Sequence, residues 1–96
     1  MKYEKPDDFE EDIENNNIKS VKYLIKVIKT DPNIKDKYGK TPLHFASEKG
    51  HLYIVKYLIE ECKVDPNIKD KIYEKTALQK ALENSKYDIF GYLKGI

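Results

Sequence analysis

A chain of 96 residues sets the scale of one domain. Its 18 Lys and 17 Asp and Glu leave a net charge of +1, a field too weak to argue for nucleic acid or an acidic membrane surface. Cys62 is the only cysteine, which excludes an internal disulfide, and no secretion-like or long apolar run is visible. A reducing compartment is therefore expected, the cytosol first and the nucleus as the alternative.

Two words of the sequence recur at one spacing. Val21-Lys22-Tyr23-Leu24-Ile25 returns as Val55-Lys56-Tyr57-Leu58-Ile59, and the segment 31–37 returns at 65–71, both offset by 34 residues. A shared offset across separate words marks a repeated structural unit. The first unit ends in a helix that carries the Val21 word. Asn16 stands before it at a reversal, a residue that tolerates the left-handed backbone a tight turn requires.

Residues 31–40 then carry turn chemistry, Asp31, Pro32, Asn33, Asp36 and Gly39, and predict a projecting hairpin-like loop. In the middle unit Leu43, Ala46, Leu52, Val55, Leu58 and Ile59 recur at three- and four-residue steps broken by Gly50, which predicts two short amphipathic helices. Thr41 is suited to cap the first, Pro42 to open it, and His44 to reach back to the cap as in a capping box. Gly50 supplies the left-handed reversal. The second loop, 65–75, repeats the first. The third unit aligns with the middle one through Thr41 to Thr76, Leu43 to Leu78, Ala46 to Ala81, Tyr57 to Tyr92 and Leu58 to Leu93, an offset of 35. One extra residue therefore lies between Lys71 and Lys75, so the second loop must bulge. Ser85 occupies the place of Gly50 and should make the least comfortable reversal.

The Thr41-Pro42-Leu43-His44 tetrapeptide, with Asp36, Gly39, Ala46, Gly50, His51, Ile54 and Val55, resembles the ankyrin repeat at its period of roughly 33 residues. The likeness extends over the chain but is close only in the middle unit. The third has Thr76-Ala77-Leu78-Gln79 in place of the signature. It implies an all-α ankyrin solenoid of stacked helix-turn-helix units, divided as an N-terminal unit 1–34, a middle unit 35–69 and a C-terminal unit 70–96. Glu10, Glu11 and Asp12 stand where the middle unit has His44, Phe45 and Ala46, and Lys94 where it has Ile59. Polar outer positions of this kind predict self-capped ends. Ile89, Phe90 and Ile96 are the residues that could leave an apolar patch at the C-terminal end.

Catalytic and metal chemistry find little support. His44, His51 and Cys62 are the soft ligands available, but the histidines fall on different helices and zinc needs three or four converging groups. Glu10-Glu11, Glu60-Glu61 and Asp7-Asp8 are adjacent in sequence and do not face one another on a helix. The glycines at 39, 50, 91 and 95 are isolated, so there is no phosphate loop. No cofactor is expected. Lys35, Lys37, Lys40, Lys69, Lys71 and Lys75 could gather on the loop side, yet Asp31, Asp36, Asp65, Asp70 and Glu74 are interleaved and cancel most of their field.

The aromatic residues are more informative. Tyr23, Tyr57 and Tyr92 share one position on the second helix of each unit and are expected to lie against neighbouring units. Tyr38 and Tyr73 fall at the loop tips, where a ring either anchors a partner or rests on the adjacent loop. The family resemblance implies a non-enzymatic protein-binding module that uses a concave face of loop tips and first helices. Its contact positions correspond to Lys37, Tyr38, Lys40, Glu48 and Lys49 in the middle unit and to Lys71, Ile72, Tyr73, Lys75, Glu83 and Asn84 in the third, with Tyr3, Glu14 and Asn15 in the first. The expected partner is another protein, not nucleic acid or membrane. The chain is expected to be a monomer, with homo-oligomeric self-association through the C-terminal end as the alternative.

Overall fold

The structure, a computed structural model, describes residues 6–96. Six α-helices stack as three antiparallel pairs, and no strand occurs among the described residues. The pairs are α1 (Pro6–Glu14) with α2 (Ile18–Lys26), α3 (Pro42–Lys49) with α4 (Leu52–Lys56), and α5 (Ala77–Glu83) with α6 (Tyr87–Lys94). The first helices form one row, α3 packing against both α1 and α5; α4 packs against α2 and α6 in a second row. The core between the rows is built from Phe9, Ile13, Leu24, Ile54, Leu58 and Ile89, all essentially inaccessible to water.

Each helix starts and stops for local reasons. Thr41 Oγ1 accepts the His44 N–H at 3.4 Å and His44 Nδ1 accepts the Thr41 N–H at 3.0 Å, the reciprocal cap expected from sequence. Gln79 does the same work in the third unit: its Oε1 accepts the Thr76 N–H at 2.9 Å, and Thr76 Oγ1 accepts the Gln79 N–H at 3.3 Å. The departure from the signature therefore keeps the cap. The three reversals all use left-handed backbone, at φ 57° for Asn16, 81° for Gly50 and 59° for Ser85.

The second helices of the first two units also close alike. After Lys56 the chain widens into a π-helical turn, Tyr57–Glu61, closed by Cys62 N–H to the Tyr57 carbonyl at 3.1 Å and Val64 N–H to the Leu58 carbonyl at 3.1 Å. The first unit makes the matching bonds from Ile28 to Tyr23 at 3.3 Å and from Thr30 to Leu24 at 2.9 Å. Lys29 and Lys63 take the left-handed position at φ 69° and 57°. Cys62 is thus a half-buried helix-end residue, and its thiol is pushed up by burial despite a hydrogen bond from Tyr57.

One sequence expectation is corrected. Ile89 is 0% exposed and belongs to the core, because it lies on the inward face of α6. The apolar surface at the C-terminal end comes instead from Leu82 and Ile96, both exposed, and from the half-buried Phe90 and Leu78. The tyrosines of the shared second-helix position divide. Tyr57 is buried, Tyr92 half-buried, and Tyr23 exposed. Lys22 lies 5.4 Å over the Tyr57 ring and Lys56 5.6 Å over the Tyr92 ring, so each unit caps the aromatic of the next.

Candidate functional site

The two inter-unit loops are built on one plan. In the first, Asp36 N–H donates to the Lys40 carbonyl at 3.0 Å, and Asp36 Oδ1 accepts the N–H groups of Tyr38 and Lys40, each at 2.9 Å. In the second, Asp70 N–H donates to the Lys75 carbonyl at 3.0 Å, and its Oδ1 accepts from Tyr73 at 3.0 Å and Lys75 at 3.1 Å. An aspartate clamp of this kind fixes a short loop from within. Matching the bonds aligns Tyr38 with Tyr73 and Lys37 with Lys71, which leaves Ile72 as the inserted residue. The expected bulge is present, and it pushes an isoleucine out at the tip.

Gly39 explains how the loops can stack. It sits at φ 78°, and a Cβ there would lie 2.9 Å from the Lys71 backbone nitrogen. That close approach lets Lys71 N–H donate to the Tyr38 carbonyl at 2.8 Å, joining the two tips.

Tyr38, Ile72 and Tyr73 are 46%, 57% and 68% exposed and surround a cleft of about 270 Å³ also lined by Lys40, Asp70 and Lys80. Beneath it lies a chain of charges. Lys40 Nζ is 3.0 Å from Glu48, Lys80 Nζ is 3.2 Å from Glu48 and 2.8 Å from Asp70. Asp70 and Lys80 are only 3% and 7% exposed. Burial would raise the Asp70 carboxyl, but the hydrogen bonds from Lys80 and from the Lys75 and Tyr73 amides outweigh it and hold the group at about 2. Burial likewise opposes the charge on Lys80, and its bonds to Asp70 and Glu48 push its value up instead. Lys75 pairs with Glu83 in the third unit as Lys40 pairs with Glu48 in the middle one.

Of the contact residues expected from sequence, Lys37, Tyr38, Lys71, Ile72 and Tyr73 come together at the tips. Lys40, Glu48, Lys75 and Glu83 act as struts between loop and helix. Lys49 and Asn84 are exposed at the far ends of α3 and α5 and do not line the cleft; Asn84 Nδ2–H donates to the Lys80 carbonyl at 2.8 Å. Glu14 and Asn15 are exposed at the end of α1, while Tyr3 falls outside the described residues. Asp70 and Lys80 were not among the expected residues. The available signal was Lys80 at the repeat position of the apolar Phe45, one residue before the core alanine Ala81.

The histidines serve the scaffold. With Nδ1 accepting from Thr41, His44 is the neutral tautomer whose Nε2–H donates to the Lys75 carbonyl at 2.9 Å, and burial lowers its pKa. His51 Nε2–H donates to the Glu14 carbonyl at 2.7 Å. No group of three or more His, Cys, Asp or Glu side chains among the described residues is arranged to hold a metal ion. No helix among them is long and apolar enough to cross a membrane.

A search of curated proteins finds no match. A chain in the complex of the predatory endopeptidase Bd0816 from Bdellovibrio bacteriovorus with immunity protein Bd3460 is similar, with a TM-score of 0.83 and 36% identity over 91% of this chain and 44% of that one. A chain in the complex of yeast ribosomal protein Rps3 with its chaperone Yar1 gives 0.82 and 28% identity over 92% of this chain and 65% of that one. The present chain thus spans less than two thirds of either. The family model for ankyrin repeats, three copies, matches residues 11–96, and the chain belongs to the ankyrin repeat family.

Proposed function

We propose that this chain is a non-enzymatic module that binds another protein through its paired loop tips and the adjoining first helices. The observation that carries the reading is the exposure of Tyr38, Ile72 and Tyr73 around one cleft, on loops whose backbones are fixed by Asp36, Asp70 and the Lys71 to Tyr38 hydrogen bond. Aromatic anchors on a preformed surface lose little conformational entropy on docking. The two structures named above are both complexes with a second protein, which supports the same class of function. Thr41 Oγ1 lies 3.0 Å from His44 Nδ1, but both groups are buried and engaged in the helix cap, and Glu48 and Asp70 converge only on Lys80, which neutralises them.

The test compares wild type with the Tyr38→Ala, Tyr73→Ala double variant at equal folded concentration, by affinity capture and then by calorimetry on the protein recovered. The double variant is expected to lose roughly 2 kcal/mol or more of binding while its melting temperature barely moves. Retention of the same protein at the same affinity would remove the loop tips from the interface. Self-association is a second reading, favoured by the groove of about 310 Å³ between Pro66, Leu78, Leu93 and Ile96 at the C-terminal end. Light scattering over a concentration series separates it from a monomeric binder.

A further inference from the structure

We propose that the segment received at the loop tips is apolar and acidic together: an apolar side chain enters the cleft between Tyr38, Ile72 and Tyr73 while neighbouring carboxylates meet Lys37 and Lys71. The inference rests on the reading above, that the tips bind protein, and adds the chemistry of the segment.

The charges around the cleft are satisfied from below and unsatisfied at the rim. Glu48 is held by Lys40 and Lys80, Asp70 by Lys80 and two backbone amides, and Glu83 by Lys75. These carboxylates are already engaged and have little to offer an incoming cation. Lys37 and Lys71 are exposed and have no carboxylate partner among the described residues.

The rings carry the same sign. Lys37 Nζ lies 5.2 Å over the Tyr38 ring, and Lys75 and Lys80 lie 5.6 Å and 5.7 Å over the Tyr73 ring. A partner lysine or arginine seeking those faces would meet an ammonium group already in place, so the site rejects basic segments as well as attracting acidic ones. An apolar side chain suits the cleft for a separate reason. Ile72, the inserted residue, adds exposed aliphatic surface between two aromatic rings, which only apolar contact would remove from water. Glu74, exposed beside Tyr73, and Asp36, which accepts two amides within the first loop, have no cation partner among the described residues, and both oppose the same segment.

The experiment follows the backbone amide signals of the intact chain by NMR during titration with two capped hexapeptides, Glu-Asp-Leu-Phe-Asp-Glu and Lys-Lys-Leu-Phe-Lys-Lys. The acidic peptide is expected to shift the Tyr38, Lys71, Ile72 and Tyr73 amides. The basic peptide should leave them in place. Lys37→Glu with Lys71→Glu should weaken the acidic peptide by about fivefold or more, and Glu74→Gln should tighten it by about twofold. These three positions are exposed, so the variants should fold, and circular dichroism checks that they do. Equal shifts with both peptides would overturn the acidic assignment while leaving the tips as a protein-binding surface. So would matching shifts with single-stranded oligothymidylate, which would make the lysines a phosphate site. Absence of shifts at the tips with the acidic peptide also overturns it, and the tyrosine double variant then decides the broader function separately.

Discussion

The first and second loops are the same device set over different floors. Asp36 and Asp70 each accept two backbone N–H groups, and each loop is tied to the helix below by a lysine–glutamate pair. Under the first loop lies Phe45, with Lys40 4.9 Å over its ring. Under the second, the equivalent position is Lys80, which turns Asp70 into half of a buried ion pair. One substitution between repeats therefore converts a solvated clamp into an internal charge network. The second loop is held more firmly, but it depends on both charges remaining in place.

The largest test of that difference removes each aspartate. Asp70→Ala leaves two amides unpaired and Lys80 with Glu48 as its remaining carboxylate, and is expected to cost about 3 kcal/mol in urea unfolding. Asp36→Ala, which removes only hydrogen bonds from a more solvated loop, should cost about 1 to 2 kcal/mol. Equal losses would mean that the ion pair contributes nothing specific. Replacing the buried pair by uncharged residues, Asp70→Asn with Lys80→Phe, should return stability to within about 2 kcal/mol of wild type, because no charge is then left buried alone.

Acid titration gives the next effect. Asp70 sits at about 2 against an ordinary 3.8, so its folded form binds its proton less readily than the unfolded chain does. Its stabilisation is whole above about pH 4 and is lost as pH falls through about 2, a change on the order of 2 kcal/mol. Thermal melts of wild type and Asp70→Asn across that window should converge. His44 adds a weaker slope of the same sign at higher pH, since its folded value is depressed and protonation takes Nδ1 away from the Thr41 N–H. His44→Gln, which copies Gln79 in the third unit, should flatten the slope below pH 6.5.

The backbone of the two tips gives a pair of effects opposite in sign. Gly39 and Glu74 hold equivalent left-handed positions at φ 78° and 53°. Gly39→Ala should cost about 1 to 3 kcal/mol through the clash with the Lys71 backbone. Glu74→Gly should stabilise by up to about 1 kcal/mol, read as a rise in melting temperature.

Much of this was legible in the sequence. The 34-residue offset, the capping residues Thr41 and Thr76, and the reversals at Asn16, Gly50 and Ser85 specify the stacked pairs, because each depends on local backbone chemistry. The loop tips were legible for the same reason. Lys80 was not, because a lysine in an amphipathic helix reads as solvated. Whether it turns inward depends on a carboxylate ten residues away in sequence, brought over it by the fold. Ile89 was misplaced because Ile89 and Phe90 are adjacent apolar residues near the chain end, and helical phase alone decides which of them faces inward.

The hydrogen bonds that cross between units bear on how the chain comes apart. His51 of the middle unit borrows a carbonyl from Glu14, His44 borrows one from Lys75, and the Lys71 amide is closed only by Tyr38. A helical pair that frays at either end therefore opens a polar contact in its neighbour. The array is better described as one cooperative unit than as three modules on a string, and hydrogen exchange at the Lys71 amide should report the opening of both loops together.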